Sequence, residues 1–205
     1  MKTLIKKKTT ISAKDNLILL CDNKSKLSAF KFSKKELAFI KKQQQAKKEI
    51  VEINQYEKKV IIVNPKNERN SNQHIENCRM LGDQLQARLK DEQSVMIINV
   101  KKSQNESLAI AEGIALANYT FTKHKTKAEP NKLKKIYFCK HSDKKSVAEL
   151  QNIIDAVYLT RDLVNEPFSH LTAKDLANAA KKVGKVNGIK TTVFNKKKIE
   201  SLKMG

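Results

Sequence analysis

Leu159-Thr160-Arg161-Asp162-Leu163-Val164-Asn165-Glu166-Pro167, followed by Leu171-Thr172, is the stretch on which the reading of this chain turns. Asn165 precedes Glu166-Pro167, and residues next to a proline avoid the helical region, so a helix ends here. The segment before it, roughly 144–164, places Val147, Leu150, Ile154, Val157 and Tyr158 near the 3.6-residue period of a long amphipathic helix. Beyond it, Thr172-Ala173-Lys174-Asp175 has the spacing of a helix start. The turn at Asn165–Leu171 is therefore a domain junction, with helix on both sides.

Upstream of this junction, short apolar runs alternate with helix-like periods. Leu17-Ile18-Leu19-Leu20-Cys21, Val60-Ile61-Ile62-Val63, Val95-Met96-Ile97-Ile98 and Ile136-Tyr137-Phe138-Cys139 read as buried strands. The second is stopped by Asn64-Pro65, since proline cannot donate to a ladder. Ser33-Lys34-Lys35-Glu36 and Ser103-Gln104-Asn105-Glu106 both have capping-box spacing and predict helix starts. A helix over 72–90 has Ile75, Cys78, Met80, Leu81, Leu85 and Leu89 near the 3.6-residue period. Downstream, Gly184 and Gly188 are expected to close the helix that begins at Thr172. Thr191-Thr192-Val193-Phe194 then reads as a strand, before a short helix around Ile199 and Leu202. Strands alternating with helices imply an α/β sandwich with a parallel or mixed sheet.

Composition narrows the function classes. Of 205 residues, 40% are hydrophobic, enough for a packed core, but only 5% are aromatic and none is Trp. No apolar run approaches the ~20 residues of a membrane helix. Lys6-Lys7-Lys8 interrupts the N-terminus where a signal peptide would be apolar, so a cytoplasmic protein is expected. Cys21, Cys78 and Cys139 are odd in number and far apart, which argues against a disulfide framework. The formal charge of +21 comes from lysine, with only Arg69, Arg79, Arg88 and Arg161 adding guanidinium groups. Lysine runs at 31–48, 123–145 and 181–198 lack interleaved aromatics for base stacking, so they predict a solvated surface over a nucleic-acid reader. The histidines His74, His124, His141 and His170 show no H-E-x-x-H spacing. Cys139-Lys140-His141 stands without a second pair of ligands, so no metal site is expected. P-loop, G-x-G-x-x-G and G-x-S-x-G patterns are absent.

The junction stretch resembles the segment by which leucyl (cytosol) aminopeptidases of the M17 type enter their catalytic domain, roughly A-R-D-L-V-N-E-P-P-N-x-L-T-P. Arg161, Asp162, Leu163, Val164, Asn165, Glu166, Pro167, Leu171 and Thr172 match it; Thr160, Phe168 and Ala173 depart. Ala111-Glu112-Gly113-Ile114-Ala115-Leu116-Ala117-Asn118-Tyr119-Thr120-Phe121 resembles the family's A-E-G-x-x-L-x-x-Y-x-F about fifty residues earlier. Glu112 is not in the family's metal signature N-T-D-A-E-G-R-L, since neither the Asn-Thr-Asp nor the Arg accompanies it. It is read instead as a carboxylate complementing a helix N-terminus, and Gly113 as a close-packing position.

The resemblance implies a three-layer, macro-domain-like α/β domain with a mixed sheet over 1–143. A linker helix and hinge over 144–170 and the first β/α elements of a catalytic peptidase domain over 171–205 would follow. It implies an N-terminal piece of a metallo-aminopeptidase: a hexamer that cleaves N-terminal residues from peptides with two divalent metals, zinc or manganese. None of the family's metal ligands or catalytic residues finds a match here, so the piece is expected to be non-catalytic, bind no cofactor and serve as scaffold for assembly. Arg161, Asp162, Asn165 and Pro167 are expected to form a structural interdomain motif. Because some bacterial relatives also bind DNA, a nucleic-acid-binding accessory module is the alternative, with weak non-specific DNA binding as its expected form.

Overall fold

The computed structural model describes residues 2–139 and 142–204. The chain divides after Tyr158 into two compact units. In the first, six strands form one sheet: β1 (Leu4–Lys7), β2 (Leu17–Leu20), β3 (Ile50–Asn54), β4 (Lys59–Val63), β5 (Ser94–Asn99) and β6 (Lys135–Cys139). Their spatial order is β1-β6-β5-β2-β4-β3. All neighbours pair in parallel except β3 with β4, so the sheet is mixed. β4 lies on one side of β2 and β5 on the other, which puts a topological switch point at the middle of the sheet.

The central strands β2, β4 and β5 are buried on both faces, which is why each reads as an unbroken apolar run. Ile18, Leu20, Ile61, Val63, Val95, Ile97, Ile136 and Phe138 pack toward one layer, formed by α2 (Ser71–Leu89), α3 (Gln104–Ala117) and α4 (Lys144–Asn165). Leu17, Leu19, Val60, Ile62, Met96 and Ile98 face the opposite layer, where Ile40 of α1 (Lys34–Gln45) and Phe30 cover them. The result is helix, sheet and helix in three layers. Two strands escape the sequence reading. β1 is Leu-Ile-Lys-Lys with only Ile5 buried, and β3 carries Glu52 and Asn54 on a sheet edge. The free edge of β1 is covered by α4, whose Gln151 carboxamide oxygen accepts the Ile5 N–H at 2.6 Å. That removes an open ladder position from solvent.

A buried polar network ties the same elements together. Asn118, at the end of α3, donates to Thr3 Oγ1 and to the Leu133 carbonyl, each at 2.8 Å. Tyr158 hydrogen-bonds Thr3 and donates to the Ala115 carbonyl. α2 and α3 meet through glycine on both sides, Gly82 against Gly113.

The two capping boxes read from sequence part company. At α1, the Glu36 amide donates to Ser33 Oγ and Glu36 Oε2 accepts the Ser33 N–H at 2.6 Å. At α3, Ser103 caps without any side-chain bond, and Asn99 Oδ1 accepts its N–H instead. Glu106 has been drawn elsewhere. Replacing Ser33 by Ala should cost ~1 kcal/mol in denaturant unfolding. The hydrogen bonds from Gln55 and then Ser33 hold the Glu36 carboxyl below its ordinary range. A depressed folded pKa gives stability that is complete above about pH 4.3 and lost as pH falls through the folded value. Glu36→Gln should flatten that part of the stability–pH curve.

In the second unit, Thr172 and Asp175 cap α5 (Ala173–Val186) reciprocally. Asn195 caps α6 (Lys196–Ser201). Gly184 lies inside α5, buried against Thr191 and Ile189, and so does not end it; Asn187 is the cap and Gly188 takes φ 70° beyond. The expected strand at 191–194 is not formed, because these residues have no ladder partner among the described ones. Leu176, Val193, Phe194 and Leu202 are all exposed.

Candidate functional site

Open α/β sheets bind ligands beyond the carboxyl ends of their strands at a switch point. Here that position lies past Cys21, Asn64 and Asn99, where β2, β4 and β5 end. A compact polar cluster fills it. His74 and Cys78 stand one helical turn apart near the start of α2, and Glu106 lies in the first turn of α3. Lys101 reaches in from the loop after β5. Its backbone is turned by Lys102, a non-glycine residue at φ 62°.

Glu106 is buried and meets an imidazole and an ammonium group. Its Oε1 lies 3.0 Å from His74 Nε2, and its Oε2 lies 2.6 Å from Lys101 Nζ. The second contact is a charge pair more than an aligned hydrogen bond. Burial pushes the Glu106 carboxyl up, but the hydrogen bonds and charges of Lys101 and His74 outweigh it and hold it below the usual range. The other ring nitrogen of His74, Nδ1, lies 2.9 Å from the Lys66 carbonyl. Burial pushes the Cys78 thiol up to about 12. The nitrogen, sulfur and carboxylate atoms of His74, Cys78 and Glu106 all lie within 4.8 Å of one another. At the same strand end, the buried Asn99 amide nitrogen has no partner among the described residues.

The sequence-derived candidates fall as follows. Glu112 is the ninth residue of α3, too far along to complement the helix N-terminus. Instead its Oε2 accepts from Arg79 Nε at 2.8 Å, joining α3 to α2. Gly113 is the close-packing position expected of it, since a Cβ there would sit 2.1 Å from the Arg79 carbonyl oxygen. Arg161, Asp162 and Asn165 occupy the last turns of α4, where the Asn165 amide donates to the Arg161 carbonyl at 2.8 Å. Pro167 follows, its carbonyl accepting from His170 and Leu171. Lys140 and His141 of the Cys139-Lys140-His141 trio lie outside the described residues. Cys21, Cys78 and Cys139 are free and buried. Arg79 pairs with Glu112 and Glu76, and Arg88 with Glu52. A cavity of about 620 Å³ lined by Lys90, Asp91 and residues 128–132 lies at the opposite, amino-terminal end of the sheet.

The cluster escaped the sequence reading, although one signal was available: His74 and Cys78 at i,i+4 share a helix face. Nothing in sequence places Glu106 or Lys101 beside them.

No family model matches the chain. It is 33% identical over 126 residues to a probable cytosol aminopeptidase of Treponema denticola, covering 57% of this chain and 26% of that protein. With a probable cytosol aminopeptidase of Chlorobaculum parvum it shares 62% identity over 45 residues, 22% of this chain and 9% of that one. Among solved structures, a tomato leucine aminopeptidase mutant superposes with a TM-score of 0.72, covering 100% of this chain and 46% of that one at 17% identity. The chain is a relative of the leucyl (cytosol) aminopeptidases. Its mixed α/β domain is the fold of their N-terminal region. As an aminopeptidase relative, it spans about a quarter or less of the curated proteins it matches. The bottromycin maturation enzyme BotP in complex with Mn shares the fold as well, with a TM-score of 0.61 over 86% of this chain and 37% of that one at 16% identity.

Proposed function

We propose that the chain is the N-terminal region of a metal-dependent leucyl aminopeptidase, and that it is non-catalytic by itself, scaffolding the catalytic domain and its assembly into a homohexamer. The observation that carries this reading is the superposition of the whole chain on somewhat under half of a leucine aminopeptidase. In this reading 1–143 is the accessory domain, 144–170 the linker and 171–205 the start of the peptidase domain. Arg161, Asp162, Asn165 and Pro167 fix the junction. The exposed apolar side chains Leu176, Val193, Phe194 and Leu202 support it, since they suit burial against further peptidase elements. Peptides would be the substrates of the longer enzyme, in the cytoplasm. Among the described residues no helix is long and apolar enough to cross a membrane.

Two divalent metals, zinc or manganese, would belong to the catalytic domain; the manganese named for BotP is in keeping with that. The residues here do not fit such a centre. The described residues bring together one group of three candidate ligands, including a thiol, and no carboxylate-bridged pair of sites. The nucleic-acid alternative gains no support from the relatives named above. The test is hydrolysis of leucyl-p-nitroanilide by the purified chain with added Mn²⁺ or Zn²⁺. No turnover above buffer is expected, and chelator-sensitive turnover would refute the non-catalytic reading.

A further inference from the structure

We propose that His74, Cys78 and Glu106 form a binding site for one divalent transition-metal ion, of which Zn²⁺ fits best, at the carboxyl end of the sheet. The site stands on this domain's own geometry and is independent of the peptidase reading. Three observations converge on it.

The first is the donor set. One imidazole nitrogen, one sulfur and one carboxylate oxygen lie within 4.8 Å of one another, close enough for small side-chain movements to bring all three onto one ion. Mixed nitrogen, sulfur and oxygen ligation suits zinc, whereas calcium and magnesium take oxygen ligands. Two of the three ligands come from one face of one helix, at i and i+4, and so are already mutually oriented.

The second is the hydrogen bonding of His74. Nδ1 faces the Lys66 carbonyl at 2.9 Å, and a carbonyl can only accept. Nε2 faces Glu106 Oε1 at 3.0 Å, and an ionised carboxylate can only accept as well. A neutral ring has one N–H and cannot serve both. Either the ring carries two protons, or a cation stands at Nε2 and is shared with Oε1. The Nδ1–carbonyl bond is the arrangement that metal-bound histidines use to fix their tautomer and present the other nitrogen.

The third is the Lys101 contact and the charge balance. Lys101 holds Glu106 Oε2, leaving Oε1 beside His74. A divalent ion that binds the sulfur displaces the thiol proton, and the Glu106 carboxylate and the new thiolate offset its charge. The fourth ligand would be water. The His74 side chain, 15% exposed, marks the way in.

The competing account is an imidazolium–carboxylate–ammonium network that binds no metal. Cobalt(II) titration of the chelator-washed chain separates the two. The expected result is saturation at one equivalent, with a near-ultraviolet thiolate-to-cobalt charge-transfer band that Zn²⁺ abolishes. Cys21→Ser and Cys139→Ser should keep the band, because both thiols belong to the core on the other face of the sheet. Cys78→Ser should lose it. His74→Gln should weaken Zn²⁺ binding by at least ~100-fold, the upper end of the loss seen on removing even an outer-shell group. Circular dichroism reports whether each variant is folded. Because the unaltered protein is titrated first, the absence of a charge-transfer band in it overturns the proposal whatever the variants do. A band retained in folded Cys78→Ser overturns it equally.

Discussion

Gly113→Ala is expected to lower the stability of the first unit by about 3–5 kcal/mol, the range of the severe core lesions. A Cβ at 113 would lie 2.1 Å from the Arg79 carbonyl oxygen, 2.9 Å from its carbonyl carbon and 3.0 Å from the Gly82 Cα. Those atoms are backbone of α2 and cannot swing aside as a side chain would. The helices would have to separate along the seam where Cys78, Leu81, Leu85, Ile110 and Ile114 are buried together. Overpacking of that kind costs 1–3 kcal/mol even where side chains can adjust. At this chain length the loss corresponds to roughly 10 °C in melting temperature. Gly188→Ala provides the comparison. Nothing lies within 4 Å of its added methyl, and only its φ of 70° resists, a strain of ~1–2 kcal/mol. Urea unfolding of both variants checks the prediction, and a Gly113→Ala midpoint at or above that of Gly188→Ala would contradict it.

Glu106→Gln in chelator-treated protein should cost ~3 kcal/mol, because removing one partner of a buried charge group strands the other. The Lys101 side chain is only 13% exposed and the His74 side chain 15%, so neither can be rehydrated in place. Replacing Glu106 and Lys101 together by Leu and Met should recover most of the loss, since an apolar pair of similar volume incurs no such penalty. Chemical denaturation of the two variants and the parent decides the matter. If the double variant is no more stable than Glu106→Gln alone, packing and not charge holds this corner together.

The same residue marks where sequence reasoning gives way. Ser33–Glu36 and Ser103–Glu106 have identical spacing, and a capping box is a local motif of ~1 kcal/mol. At α1 Gln55 is the one other side chain among the described residues that bonds Glu36, and the box forms. At α3 the carboxylate comes within reach of an imidazole thirty-two residues away and an ammonium five residues away, and these contacts win. Glu112 departs from its expected role for a related reason: its partner Arg79 is adjacent only because Gly82 and Gly113 let two helices touch.

What the sequence by itself determined is whatever depends on short-range pattern. The unbroken apolar run at Val60–Val63, the helical period of 72–90, the caps at Ser33 and Thr172, and the Asn165-Glu166-Pro167 helix exit each follow from neighbours within a few residues. Two separated motifs carried the family likeness. Tertiary structure alone decided the rest. Leu4–Lys7 is a strand because β6 and Gln151 supply the hydrogen-bond partners its lysines do not advertise, whereas Thr191–Phe194, with better strand propensity, has no ladder partner among the described residues. The His74–Cys78–Glu106–Lys101 cluster likewise exists only because parallel strands β4 and β5 end side by side around β2. That brings together the starts of two helices thirty residues apart, and no local pattern encodes the meeting of their side chains.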